Sequence, residues 1–128
     1  MKNEKNYNLK IERENGSYDE VNFSFRFNKV SENIAFEIKD LLKEHDIVFN
    51  KPRGKDFYVI LFDTIESNFD VNLILNIIKN YELDENNFGF FITINSEYGH
   101  GGCFLPDEIR RLYKIIGGQL DFSYLIGD

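Results

Sequence analysis

One short segment of the chain combines side chains that could do chemistry. Glu97, His100 and Cys103 lie within the sequence EYGHGGC. The cysteine and histidine could act as nucleophile and base, or the two could bind a metal ion together with Glu97. The chain has only one other histidine and no other cysteine, which leaves few side chains to complete a metal site. A reactive thiolate also needs a positive or helix-N-terminal setting.

The glycines of this segment precede Pro106, so they could form an anion-binding loop at a helix N-terminus. Their spacing matches neither the P-loop nor the dinucleotide-binding pattern, and Asp107 and Glu108 would repel a phosphate there. We therefore expect a tight loop with a buried Cys103, in a protein that is not an enzyme and has no cofactor or metal. The alternative is a small-ligand- or metal-binding domain, or an enzyme, centred on His100 and Cys103.

The charge distribution favours a different kind of function. The chain has 22 acidic and 15 basic residues, a formal net charge of -7. The stretch 56–108 contains ten acidic residues and one basic residue, Lys79, which gives it a local charge of -9. Such acidity opposes direct binding to nucleic acid, which needs Lys and Arg to displace phosphate counterions. It either keeps the fold soluble or steers a basic partner towards the protein.

We expect this acidic stretch to form a protein-binding surface with exposed aromatic anchors, Phe69 and Tyr98. Thirteen phenylalanines exceed what the core of a chain this small usually needs, so some should lie on the surface. Adjacent acidic pairs such as Asp84 and Glu85 point in different directions, which makes them poor acid–base couples. The predicted partner-binding residues are Glu66, Phe69, Asp70, Glu82, Asp84, Glu85, Glu97 and Tyr98.

Hydrophobic periodicity predicts the elements that must position these residues. Alternating apolar residues indicate strands, and apolar residues at helical spacing indicate helices. Ser31 and Asp70 are expected to cap two of the helices, and Gly117-Gly118 to end the third. Asn15-Gly16 indicates a turn that joins the first two strands as a hairpin. The predicted strands are 7–11, 21–27, 47–49, 57–62, 88–95 and 120–124, and the predicted helices are 31–44, 70–80 and 106–116.

This order, ββα(β)βαβαβ, predicts an α+β fold in which about three helices pack on a mixed or mostly antiparallel sheet. At 128 residues the chain should form one domain, with residues 1–6 as a frayed terminus. The longest apolar runs are too short to span a membrane, and the polar start of the chain is unlike a signal peptide. A lone cysteine suits a reducing compartment, so we expect a cytoplasmic location.

The C-terminal third resembles the ending of a family of small bacterial proteins, some of which are associated with toxin immunity. Its sequence reads FGFFITINSEYGHGG, then LPDEIRRLYKIIGG, then QLDFSYLI. More broadly, a short, acidic chain without catalytic residues resembles the immunity proteins of contact-dependent growth inhibition and related polymorphic toxin systems. This resemblance implies a cytoplasmic antitoxin that occludes the active site of a cognate toxin domain, often a cationic nuclease. It transfers no functional residue to a position of this chain.

Overall fold

The computed structural model describes residues 9–12, 18–63, 65, 69–96 and 107–126. Its helices are α1 (Glu32–Leu41), α2 (Val71–Asn80) and α3 (Asp107–Ile116). Its strands are β1 (Leu9–Glu12), β2 (Tyr18–Val30), β3 (Val48–Asn50), β4 (Tyr58–Phe62), β5 (Phe88–Ser96) and β6 (Gln119–Ile126). The predicted α+β class and the order of its elements are therefore confirmed.

The long strand β2 lies at the centre of the sheet. Five strands follow the spatial order β3-β4-β2-β5-β6. One edge of β2 pairs with β5, and its other edge is shared by β1 at its start and β4 at its end, all antiparallel. The first two strands pair as predicted, whereas the predicted turn at Asn15-Gly16 lies outside the described residues. The apolar strand β4 lies in the interior of the sheet, paired with β2 on one edge and β3 on the other.

The sheet is mixed because its last two strands are parallel. β5 and β6 pair in register from Gly89 with Gln119 to Ser96 with Ile126. A parallel pair needs a crossover connection, and α3 lies within it. The other strand pairs of the described sheet are all antiparallel. Both possibilities left open by the sequence, a mixed and a mostly antiparallel sheet, therefore describe this fold.

Strict alternation along β2 decides which face of the sheet is buried. Phe23, Phe25 and Phe27 are fully buried, and side chains of β4 and β5 share their face. All three helices add residues to the same apolar cluster, among them Ala35, Ile38, Leu42, Ile74, Ile77, Ile109 and Ile116. The described helices therefore cover one face of the sheet, and the core lies between the two layers.

The opposite face of the sheet is more polar. Arg26 extends from its centre, with its guanidinium carbon 3.7 Å from the ring centroid of Phe91 on the neighbouring strand. Burial lowers the pKa of Arg26, and the negative charge of Asp121 opposes that shift. Arginine remains protonated at neutral pH despite such a shift. The cation stacked on an aromatic ring therefore keeps its charge where desolvation strengthens the contact.

Two features of the helices differ from expectation. Ser31 occupies the N-cap position of α1, but its side chain makes no capping hydrogen bond. The same helix ends at Leu41, three residues before the predicted end, and a turn follows that brings His45 to 5.9 Å from the ring of Phe62. In the described part of the chain, no helix has both the length and the apolar character that crossing a membrane requires.

Candidate functional site

The described members of the predicted acidic surface lie at opposite ends of α2. Phe69 and Asp70 immediately precede the helix, whereas Glu82, Asp84 and Glu85 follow it. A helix of ten residues is about 15 Å long, so the two groups are separated by roughly that distance. Three predicted binding residues lie outside the described part of the chain: Glu66, Glu97 and Tyr98.

The residues before α2 have structural contacts of their own. The ring of Phe69 packs edge-on against Phe25 and Phe62, with centroid distances of 5.5 and 5.1 Å. Phe69 is therefore half-buried and not fully exposed as expected, and its role as a binding anchor stays a prediction. Asp70 caps α2 as expected, because its Oδ1 accepts a hydrogen bond from the backbone N–H of Leu73 at 3.0 Å. Its carboxylate therefore stabilises the helix whatever else it binds.

The acidic turn, defined here as Glu82, Asp84 and Glu85 with the residues between and beside them, has a fixed backbone. Glu82 has a left-handed conformation with φ of 51°. Asp84 Oδ1 accepts a hydrogen bond from the backbone N–H of Asn86 at 2.7 Å, which is the geometry of an Asx turn. The side-chain amide of Asn87 donates to the backbone carbonyl of Asn28 at 3.1 Å and so ties the turn to the end of β2.

This turn presents three carboxylates to solvent. Glu82, Asp84 and Glu85 are all exposed, and no Lys or Arg in the described residues forms an ion pair with them. By contrast, Asp107 on α3 forms an ion pair with Arg110 one turn later. The acidic turn therefore combines a fixed backbone with uncompensated negative charge.

A groove lies beside this turn, between α1 and the C-terminal end of α2. It has a volume of about 330 Å³ and is lined by Phe36, Glu37, Asp40, Leu41 and Tyr81. Phe36 and Leu41 are 47% and 46% exposed. Residues four apart on a helix lie above one another. Phe36 therefore neighbours Asp40, and Glu37 neighbours Leu41, so apolar and acidic side chains alternate on this face of α1.

Tyr81 closes the groove from the α2 side. It is the C-cap residue of α2 and directly precedes the acidic turn. Partial burial raises the pKa of Tyr81, and the nearby carboxylate of Glu37 raises it further. The phenol therefore stays protonated at neutral pH, beside a carboxylate of α1.

On its other side, Phe36 belongs to an aromatic cluster with Phe49 and Tyr58. The ring centroid of Phe36 lies 5.1 Å from that of Phe49 and 5.6 Å from that of Tyr58. Lys39 Nζ lies 4.6 Å from the centroid of Phe49. Lys51 Nζ is 5.9 Å from that of Tyr58. A second cavity of about 440 Å³ adjoins this cluster, and its lining includes both basic and acidic side chains: Phe36, Lys39, Asp40, Leu42, Lys43, His45 and Ile47.

Sequence reasoning missed the groove but contained one signal for it. Phe36 lies out of phase with the buried positions of α1, Ala35 and Ile38, so helical spacing directs it away from the core. Nothing in the spacing indicates that Tyr81, 45 residues later, packs beside it. That proximity depends on how α1 and α2 are placed on the sheet.

The alternative prediction is a catalytic or metal-binding site in the loop that contains His100 and Cys103. This loop lies outside the described residues. Within the described residues, no group of three or more His, Cys, Asp or Glu side chains is arranged to hold a metal ion. The alternative centred on that loop therefore stays a prediction.

Comparisons of the chain with protein-family models, curated proteins and solved structures found no match in any of the three.

Proposed function

We propose that this protein is a cytoplasmic immunity protein that binds a cognate cationic toxin domain and occludes its active site. The observation that carries the proposal is the acidic turn, in which Glu82, Asp84 and Glu85 are exposed, unpaired within the described residues and held on a hydrogen-bonded backbone. A fixed backbone reduces the conformational entropy that binding would otherwise cost. The chain's net charge of -7 adds long-range attraction for a basic partner.

The resemblance of the C-terminal third to immunity-associated proteins supports the same class of function. A toxin nuclease must bind phosphates with Lys and Arg, so an inhibitor of its active site gains from carboxylates placed against those side chains. The predicted binding surface also includes Asp70, Glu66, Glu97 and Tyr98, of which only Asp70 lies in the described residues. The position of Asp70 at the far end of α2 makes the acidic turn the first region to test.

The test first asks whether a toxin domain is encoded beside the gene, and then pairs the protein with that domain. Co-expression should restore growth of cells that produce the toxin, and the purified proteins should associate rapidly at low salt. Replacing Glu82→Lys and Glu85→Lys together should slow association by about 10-fold or more at low salt, and by less at higher salt where charges are screened. These two side chains are chosen because Asp84 also holds the backbone of the turn.

The matched control is the double variant Asp56→Lys and Asp63→Lys. It makes the same change in net charge at exposed positions outside the turn. We expect a clearly smaller effect on the association rate. Equal slowing by both double variants would show that overall charge, and not the acidic turn, guides binding. Failure of the wild-type protein to protect cells from the toxin or to bind it would overturn the proposed function.

A further inference from the structure

The outer face of α1 carries two apolar side chains that the fold covers only in part. Phe36 and Leu41 are about half exposed, although the same helix buries Ala35 and Ile38 completely. Together with Tyr81 they supply the apolar part of the groove's lining. Apolar side chains that stay exposed beside polar groups are typical of protein-interaction sites.

The rim of this groove has one sign of charge. Glu37 and Asp40 lie within it, and the acidic turn begins at Glu82, directly after Tyr81. The nearest lysine on α1, Lys39, is held over the rings of Phe36 and Phe49, on the side where the second cavity lies. Cationic side chains together with Asp40 therefore line the neighbouring cavity, whereas the charged side chains that line the groove beside Tyr81 are both carboxylates.

We propose that this groove, between α1 and the C-terminal end of α2, binds an amphipathic cationic segment of the protein partner. Apolar side chains of that segment would pack on Phe36, Leu41 and Tyr81. Its Lys or Arg side chains would pair with Glu37, Asp40 and the acidic turn. This inference rests on the proposed function and deepens it, because it assigns the contact to one place and gives the partner segment two required properties.

Charge decides against the other occupants of such a surface. A strongly acidic segment would face Glu37, Asp40 and Glu82 at close range, where like charges repel. A second copy of this chain carries a net charge of -7 and would be repelled over a longer range. A purely apolar segment would leave the carboxylates of the rim desolvated without partners, which disfavours binding. The combination of apolar floor and acidic rim therefore selects a segment that is both apolar and basic.

The test uses synthetic peptides, so it does not depend on knowing the toxin. A fluorescent helical peptide with Leu on one face and Lys on the opposite face should bind the protein, as measured by fluorescence anisotropy at physiological salt. A peptide with Ser in place of Leu should bind about 10-fold more weakly or worse, because it lacks the apolar contact. A peptide with Glu in place of Lys should not bind. Equal binding of the Leu/Lys and Ser/Lys peptides would overturn the inference.

Variants with matched controls locate the binding site. Leu41→Ser should weaken binding of the Leu/Lys peptide by about 10-fold, whereas Val48→Ser, which removes a side chain of similar exposure on β3, should change it by less than about 2-fold. Asp40→Lys should weaken binding, whereas Asp56→Lys makes the same charge change at an exposed site outside the groove and should have little effect. If each control weakens binding as much as its partner variant, the groove is not the site.

The remaining outcomes separate this inference from the proposed function. If the wild-type protein neutralises the toxin and the variants Leu41→Ser and Asp40→Lys do so equally well, the groove is not the toxin-binding site. The proposed immunity function is then retained. If the Leu/Lys peptide binds in the groove but the toxin is not neutralised, the groove does bind an amphipathic cationic segment and the proposed immunity function is wrong. Sedimentation that shows a dimer of the protein alone, abolished by Leu41→Ser, would identify a second copy as the occupant and overturn the inference.

Discussion

Gly117 and Gly118 end α3 with similar backbone conformations but in different surroundings. Their φ angles are 77° and 88°, in the left-handed region that glycine adopts without steric cost. A Cβ at Gly117 would meet no atom within 4 Å, whereas a Cβ at Gly118 would lie 2.6 Å from the ring and the carbonyl oxygen of Phe88. Gly117 is therefore needed only for its backbone conformation, whereas Gly118 also allows the end of α3 to approach β5 closely.

We predict that alanine at these two positions has unequal effects. Gly117→Ala should lower the free energy of unfolding by about 1–2 kcal/mol, the cost of a left-handed residue with a side chain. Gly118→Ala should cost about 1–3 kcal/mol more, because its methyl group overlaps Phe88. Urea denaturation of both variants measures the difference. Equal losses would mean that the contact with Phe88 relaxes at no cost.

At the scale of elements, the N-termini of α1 and α2 are built differently although both carry a typical capping residue. Asp70 accepts the hydrogen bond of an N-cap, whereas the side chain of Ser31 makes none. The sequence predicts a cap at both positions because residue type alone cannot show which way a hydroxyl is turned. α1 gains an acidic residue, Glu32, in its first turn, whereas the first turn of α2 has none.

This difference predicts unequal responses to the loss of each capping residue. Asp70→Ala should lower the free energy of unfolding by about 1 kcal/mol, and Ser31→Ala by less than about 0.5 kcal/mol. Asp70→Asn should retain most of the stability, since asparagine caps as well as aspartate. Thermal and urea unfolding of the three variants would measure these losses. A Ser31→Ala loss as large as that of Asp70→Ala would contradict the observed caps.

The asparagine variant also separates two roles of Asp70, because it removes the predicted binding charge while the cap remains. Weaker toxin binding by a stable Asp70→Asn protein would assign Asp70 to the binding surface. Unchanged binding would restrict this side chain to its structural role.

At the scale of the whole molecule, Phe25 lies where the sheet and the segment leading into α2 meet. Its ring lies within 6.5 Å of five other aromatic rings, those of Phe27, Phe62, Phe69, Phe88 and Phe90. These rings come from three strands and the segment before α2, so this one side chain connects parts of the chain far apart in sequence. Phe122, on the edge strand β6, is 58% exposed and contributes little to the core.

We predict that Phe25→Ala lowers the free energy of unfolding by about 3–5 kcal/mol, the usual cost of a large buried cavity. Because a domain of this size is stabilised by only about 5–15 kcal/mol, most of the protein's stability could be lost. Phe122→Ala should cost less than about 1 kcal/mol, as expected for an exposed side chain. Urea titrations measure both changes. Comparable losses would show that the exposed edge strand is as important as the ring cluster.

The fold was largely predictable because its elements have clear local patterns. Alternating phenylalanines in β2 and apolar residues at helical spacing in α1 and α2 depend only on neighbours in sequence. The same reasoning could not show that β2 extends to Tyr18 and Val30. Polar residues, Asp19, Glu20, Asn28 and Lys29, interrupt the apolar alternation before these ends, which are held by pairing with other strands. The site was less predictable: Phe69 was expected on the surface, but rings from β2 and β4 cover it.

The amino-acid sequence by itself determined the type and order of the elements, the position of the acidic stretch and the outward direction of Phe36. These follow from residue type and short-range spacing, which act before distant parts of the chain meet. Only the tertiary structure decided that Phe69 packs against rings of β2 and β4, and that Phe36, Leu41 and Tyr81 line one groove. The physical reason is that burying one face of each helix against the sheet fixes which of their other faces become neighbours.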